Sequence, residues 1–305
     1  MKNNNFTIGV DVGGSRIKAA IVSPDGSLSE QIIEKSRVGE PYPAARDQLV
    51  AIIDGLLKKS INSPSAIGVG IAGLMGANRR MVVAAPNCRG IVGKCLADDL
   101  ESLLRLPVEL ENDANVMALG EGACGAASGS KHYVAVTLGT GVGGAIVHNG
   151  ELFRGWTGGG SEIGHICIDR NGPRCGCGSN GCLEAFIGLR GISAWLRSHA
   201  ASLRNYRMPK LSEMAKDGDA DAIRLFEWVG KTLGVAMGGI VNLLNPERIV
   251  VGGGIASAGP MLFDPLREEI GRRAFKVYQS DLKVVPAMLG NWAGVVGAGS
   301  LGRGG

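Results

Sequence analysis

The sequence predicts an α/β protein of two related lobes, and two observations carry that expectation. A strand–glycine turn–strand hairpin opens the chain, and a second one opens its latter half, each followed by alternating helices and strands. The glycines, 49 of 305 residues against a usual ~7%, cluster in tight turns between apolar runs. There they read as ligand-binding turns and not as low complexity.

In order, Phe6–Val12 reads as a strand, Asp11-Val12-Gly13-Gly14-Ser15 as its turn, and Ile17–Val22 as the return strand, closed by Pro24-Asp25-Gly26. Apolar Leu49, Ile52, Ile53, Leu56 and Leu57 give a helix from Tyr42 to Lys59. Strands at Ala66–Ile71 and Val82–Ala85, a helix over Leu96–Leu104 and a strand over Pro107–Glu111 follow. Asn112 or Asp113 then caps a helix reaching Ala123. The second half repeats the opening: strand Tyr133–Leu138, a GTGVGG turn, and strand Ala145–His148 ending at Asn149-Gly150. A Gly- and Cys-rich insert fills Gly155–Cys182. Helices are expected at Leu183–His199, Ala220–Phe226 and Trp228–Leu244, then strand Ile249–Val251, a GGG turn, helix Pro260–Arg273, strand Val284–Pro286 and a small-residue helix Trp292–Leu301. The expected lobes are residues 1–112 with 291–305, and residues 113–290 carrying the Cys-rich loop.

Composition narrows the function classes. With 45% hydrophobic and 20% charged residues the chain is not disordered. A net charge of +4 is too mild for a dedicated nucleic-acid binder, so no nucleic-acid partner is expected. No run approaches the ~18 apolar residues of a membrane span, and the N-terminus lacks a signal core. A cytoplasmic location is the default, and the seven cysteines then read as thiols or metal ligands.

The glycine motifs need sorting. G-x-G-x-x-G occurs at Gly68/Gly70/Gly73 and Gly139/Gly141/Gly144, but a dinucleotide site needs a helix next. After Gly144 the β-branched AIVHNG reads as strand and turn. A P-loop fails as well, since Leu225 stands where the first glycine should precede Gly230-Lys231-Thr232. What remains is Asp11–Ser15 and Thr137–Gly141 at two hairpin tips, whose backbone N–H groups suit the phosphates of a nucleotide.

Asp11–Lys18, Thr137–Gly144 and Val251–Ile255 resemble the phosphate-1, phosphate-2 and adenosine motifs of the actin-like (ribonuclease H-like) ATPase fold shared by actin, hexokinase and acetate kinase. Glu162-Ile163-Gly164-His165, followed by Cys175-Gly-Cys177-Gly-Ser-Asn-Gly-Cys182-Leu-Glu184, resembles the signature of the ROK family of bacterial sugar kinases and sugar-responsive repressors. The resemblance runs in order over essentially the whole chain.

His165, Cys175, Cys177 and Cys182 offer one imidazole and three thiols, a soft donor set of four that selects tetrahedral zinc and leaves no open position. A structural ion in the loop insert is therefore expected, and the four match the family's zinc ligands. Cys167 alternates with Ile166 and Ile168, as in a strand.

The resemblance implies a hexose kinase using ATP and Mg²⁺. Asp113 falls on the catalytic base and Asn112 on a sugar-hydroxyl ligand. Glu162, His165 and Glu184 match holders of the other hydroxyls, with His165 giving one ring nitrogen to metal and one to sugar. Gly73 and Asn87 match further sugar contacts. Asp11 would hold Mg²⁺ through water. Gly13, Gly14, Ser15 and Lys18, with Thr137, Gly139, Thr140 and Gly141, would take the phosphates, and Gly253 and Gly254 would admit adenine. Glucose is the first expected substrate, with N-acetylmannosamine and other hexoses or N-acetylhexosamines as alternatives, because no Trp follows Pro86-Asn87 and no Pro stands beside Gly73. A non-catalytic sugar-sensing regulator is the reading from another class. The family's repressors carry an N-terminal helix-turn-helix, for which the few residues ahead of the first strand leave no room. Family members commonly form homodimers or homotetramers.

Overall fold

In the computed structural model, which describes residues 5–303, two five-stranded sheets share one strand order. The first comprises β1 (Thr7–Val12), β2 (Arg16–Val22), β3 (Leu28–Lys35), β4 (Ile67–Ile71) and β7 (Val108–Asn112), ordered β3-β2-β1-β4-β7. β1 runs antiparallel to β2 and parallel to β4, and β4 runs parallel to β7. The short strands β5 (Leu74–Met75) and β6 (Val82–Ala84) pair separately. The second sheet is ordered β10-β9-β8-β11-β12: β8 (Tyr133–Leu138), β9 (Val142–His148), β10 (Glu151–Leu152), β11 (Arg248–Gly252) and β12 (Lys283–Pro286). β11 is parallel to both neighbours. Each sheet thus joins a meander to two parallel crossover strands, the duplication read from the two hairpins.

The helices are α1 (Tyr42–Lys59), α2 (Leu96–Leu104), α3 (Asp113–Cys124), α4 (Leu183–Ile187), α5 (Leu189–His199), α6 (Met208–Lys216), α7 (Ala220–Leu244), α8 (Pro260–Arg273) and α9 (Ala293–Leu301). Among the described residues, no helix is long and apolar enough to cross a membrane.

The chain divides into two compact units, Met1–Gly129 with Ile146–Ser161 and Met288–Gly305, and Ser130–Ala145 with Glu162–Ala287. The expected division at Asn112 therefore shifts, because α3 stays with the first unit. α3 packs on α9, where glycine replaces side chains on both sides: a Cβ on Gly297 would lie 1.6 Å from the Val116 carbonyl oxygen, and one on Gly120 2.2 Å from that of Ala293. Fully buried Glu121 adds a lock, accepting the backbone N–H groups of Ala126, Met288 and Leu289 at 2.7, 3.0 and 2.9 Å. The closing helix packs against β1, β2 and β4 as the sequence suggested.

Several boundaries differ from expectation. The expected Leu183–His199 helix is broken at Gly188, where a Cβ would press on the carbonyls of Glu184 and Thr140 at 2.8 and 3.2 Å. Ala220–Leu244 is one continuous helix, because Glu227 is a good helix former and not a terminator. The polar strand β3 and helix α6 were not expected.

Candidate active site

In the first unit the candidate residues gather around two turns. Lys18 and Asp11 form an ion pair at 3.1 Å at the hairpin. The Gly13 N–H closes the turn onto the Arg16 carbonyl at 3.0 Å. Gly14 abuts Asn87: a Cβ there would lie 2.8 Å from the Asn87 Cβ and 2.9 Å from its carbonyl oxygen. Gly73 is hemmed in by Ala84 and Ala85, and its carbonyl accepts the Asn112 side-chain amide at 3.0 Å. The Asp11–Ser15 turn thus meets Asn87, and Gly73 meets Asn112.

Asn112 also caps α3, its Oδ1 accepting the N–H groups of Ala114 at 2.8 Å and Asn115 at 3.2 Å. This settles which residue of the pair is the cap. Asp113 occupies the first helical position, exposed, with Oδ1 accepting the Ala114 N–H at 3.0 Å. Its carboxylate lies close enough to Cys88 to help burial push that thiol up to about 11. Cys88 should therefore stay unmodified by a thiol reagent at pH 8 while exposed Cys95 reacts. Peptide mapping after brief alkylation checks this, and equal labelling would contradict it.

In the second unit Glu184, in the first turn of α4, accepts the Val142 N–H at 2.9 Å. Its carboxylate lies where a Gly141 side chain would be, 2.2 Å from the Cβ position. The Thr137–Gly141 turn is thus built against Glu184. The Gly139 N–H closes that turn onto the Gly141 carbonyl at 3.0 Å, and the Leu189 N–H at the start of α5 donates to the Thr140 carbonyl at 3.1 Å. Gly252 pairs with Thr137 across β11 and β8. The next residue, Gly253, has φ +89°, and a Cβ on it would lie 2.2 Å from the Leu138 carbonyl oxygen, so Gly253 lies directly beside the end of β8.

Gly141→Ala should fold normally, because the blocking atom is the end of a flexible side chain. It should displace Glu184 and lower sugar kcat/KM by about tenfold or more, through lost positioning. Thermal melts with steady-state kinetics test it, and an unchanged kcat/KM would contradict it.

The four loop ligands converge: one donor atom each from His165, Cys175, Cys177 and Cys182 all lie within 4.8 Å of one another. His165 Nδ1 lies 3.6 Å from the Cys175 sulfur, and the Cys177 and Cys182 sulfurs are 3.6 Å apart. Three sulfurs and an imidazole nitrogen fit a closed tetrahedral zinc site. Cys167 bridges Cys182 as an isolated β-pair, in keeping with its alternation. The other His165 nitrogen, Nε2, lies 4.0 Å from Glu162. Burial raises the Glu162 carboxyl pKa; His165 opposes the shift and Glu184 adds to it.

Two residues escaped the sequence reading. Glu111 is 1% exposed and accepts Arg154 Nε at 2.7 Å, Asn115 Nδ2 at 2.9 Å and the Asn112 N–H at 3.0 Å. The available signal for Glu111 was its place at the end of a short strand, one residue before the Asn112–Asp113 junction. Arg154, in a loop, gave none.

The ROK family model matches residues 7–304. A glucokinase from Thermotoga maritima is 34% identical over 96% of both chains. A crystal structure of a ROK family glucokinase from Streptomyces griseus, in complex with glucose and AMPPNP, is 31% identical with a TM-score of 0.85, covering 98% of this chain and 100% of that one. The xylose repressor of Bacillus subtilis is 28% identical over 98% of this chain and 77% of its own length. The paired sheets are those of the actin-like ATPase fold, and the chain belongs to the ROK family.

Proposed function

We propose that the protein is an ATP-dependent glucokinase, transferring the γ-phosphoryl group to the primary hydroxyl of glucose. The observation that supports this most is end-to-end similarity, above 30% identity, to proteins named glucokinase. Phosphoryl transfer needs an aligned acceptor, a group to take its proton and positive charge around the phosphates.

In this reading the 6-hydroxyl oxygen attacks the γ-phosphorus, its proton passes to an Asp113 carboxylate oxygen, and the bond to the β,γ-bridging oxygen breaks to release ADP. Asn112, Asn87 and the Gly73 turn orient the sugar, together with Glu162, His165 and Glu184. Because the Gly13 and Gly139 amides close their own turns, Gly14, Ser15, Thr140 and Gly141 are the candidate phosphate donors, with Lys18 supplying charge. Gly253 and Gly254 leave the adenine room. Magnesium, bound with ATP and held by Asp11, supplies further positive charge on the phosphates. Zinc on His165 and the three cysteines fixes the loop carrying Glu162 and Glu184 and takes no part in the chemistry. A cytoplasmic enzyme meets ATP and keeps these thiols reduced.

An ADP-release assay across hexoses and N-acetylhexosamines tests the assignment. Glucose should give the highest kcat/KM. A clear preference for N-acetylmannosamine would move the substrate within the same chemistry, and no sugar-stimulated release would end the kinase reading.

A further inference from the structure

We propose that the Arg154–Glu111 ion pair is a positioning device, holding the Asn112–Asp113 junction and the neck of the 154–160 loop in one geometry for phosphoryl transfer. This rests on Asp113 being the acceptor base.

Glu111 ends the buried part of β7, immediately before the junction. Its two oxygens are divided. Oε1 takes the Asn112 backbone N–H and the Asn115 side-chain amide at 3.0 and 2.9 Å, gripping the first turn of α3 from below. Oε2 takes Arg154 Nε at 2.7 Å, with Arg79 Nη1 further off at 3.8 Å. At 1% exposed, the Glu111 carboxylate depends on such partners, because a buried polar group left unpaired is costly.

Arg154 is equally constrained on its own side. Its carbonyl accepts the Gly160 N–H at 2.8 Å, and the preceding Phe153 carbonyl accepts the Ser161 hydroxyl at 2.9 Å. These bonds close the loop at a neck, and the residue after the neck is Glu162. Gly158 and Gly159 in this loop rest against Leu74–Ala77, next to Gly73, whose carbonyl holds Asn112. One ion pair therefore ties the capping residue of α3, the base that follows it and the neck of the 154–160 loop. Neither side chain belongs to the nucleotide loops.

Removing Arg154 leaves the carboxylate to turn toward Arg79. That loosens Oε1 from the Asn112 amide, and a misplacement of about 1 Å at a reacting centre can cost about 100-fold in rate. Arg154→Ala, Arg154→Lys and Glu111→Gln should be assayed with glucose and ATP well below each variant's melting temperature, alongside Asp113→Asn. Arg154→Ala should lose roughly 10–100-fold in glucose kcat/KM, the cost of a small misplacement of the acceptor base, with the ATP KM within about twofold of wild type. Arg154→Lys, which restores the charge without the planar fork, should recover part of the loss. If Arg154→Ala does not fold, Arg154→Lys and Glu111→Gln carry the test, each with a smaller loss on the sugar side alone. Unchanged glucose kinetics in folded variants, or a parallel rise in the ATP KM signalling general loosening, would overturn the proposal. Wild-type turnover in Asp113→Asn would instead remove the base assignment, and the positioning claim with it.

Discussion

Asp113→Asn should turn over glucose at less than about a hundredth of the wild-type rate, since removing a general base costs roughly 10²–10⁴-fold. The substitution is nearly isosteric. An Asn oxygen can still accept the Ala114 N–H that Oδ1 accepts at 3.0 Å, and the cap of α3 is Asn112, so the helix start is untouched. Glucose KM should stay within a few-fold, because the sugar's other hydroxyls are held elsewhere. Stopped-time assays with thermal melts check this. Retention of more than a tenth of the wild-type rate in a folded variant would defeat the assignment.

The second large effect concerns the loop cluster. Zinc in small sites contributes roughly 10–16 kcal/mol of folding free energy, far more than the hydrogen bonds available between Ile163 and Cys182. Purified protein should carry one zinc per chain. Cys175→Ser, which replaces a buried ligand, should lose the metal, melt at lower temperature and raise glucose KM by at least about tenfold, because Glu162 and His165 leave the same loop. Chelation followed by zinc should restore the wild-type protein but not the variant. Elemental analysis with kinetics decides the matter. Metal-free protein with full activity would contradict the structural role.

Much of this molecule is legible in sequence for reasons that can be named. The hairpin turns are readable because their glycines stand out between apolar strands, and at Gly14 a side chain would run into the backbone of Asn87. The ligand loop is readable because its donors lie within eighteen residues and need no tertiary information. The strand β3 was not, since Ser29, Glu30 and Gln31 lie exposed near the sheet edge and give no apolar alternation. The unit boundary was missed because it depends on α3 meeting α9, a contact between residues some 170 positions apart that is made by absent side chains. Glu111 and Arg154 share that difficulty: each looks ordinary alone, and their meaning lies in a 2.7 Å contact across 43 residues.

The most direct measurement is the phosphorus spectrum of the product mixture after glucose and ATP are incubated with the wild-type protein and with Asp113→Asn. The wild type should give one equivalent of glucose 6-phosphate for each ADP, and the variant neither on the same timescale. ADP accompanied by inorganic phosphate instead of a sugar ester, or an ester on any hydroxyl other than the primary one, would contradict it.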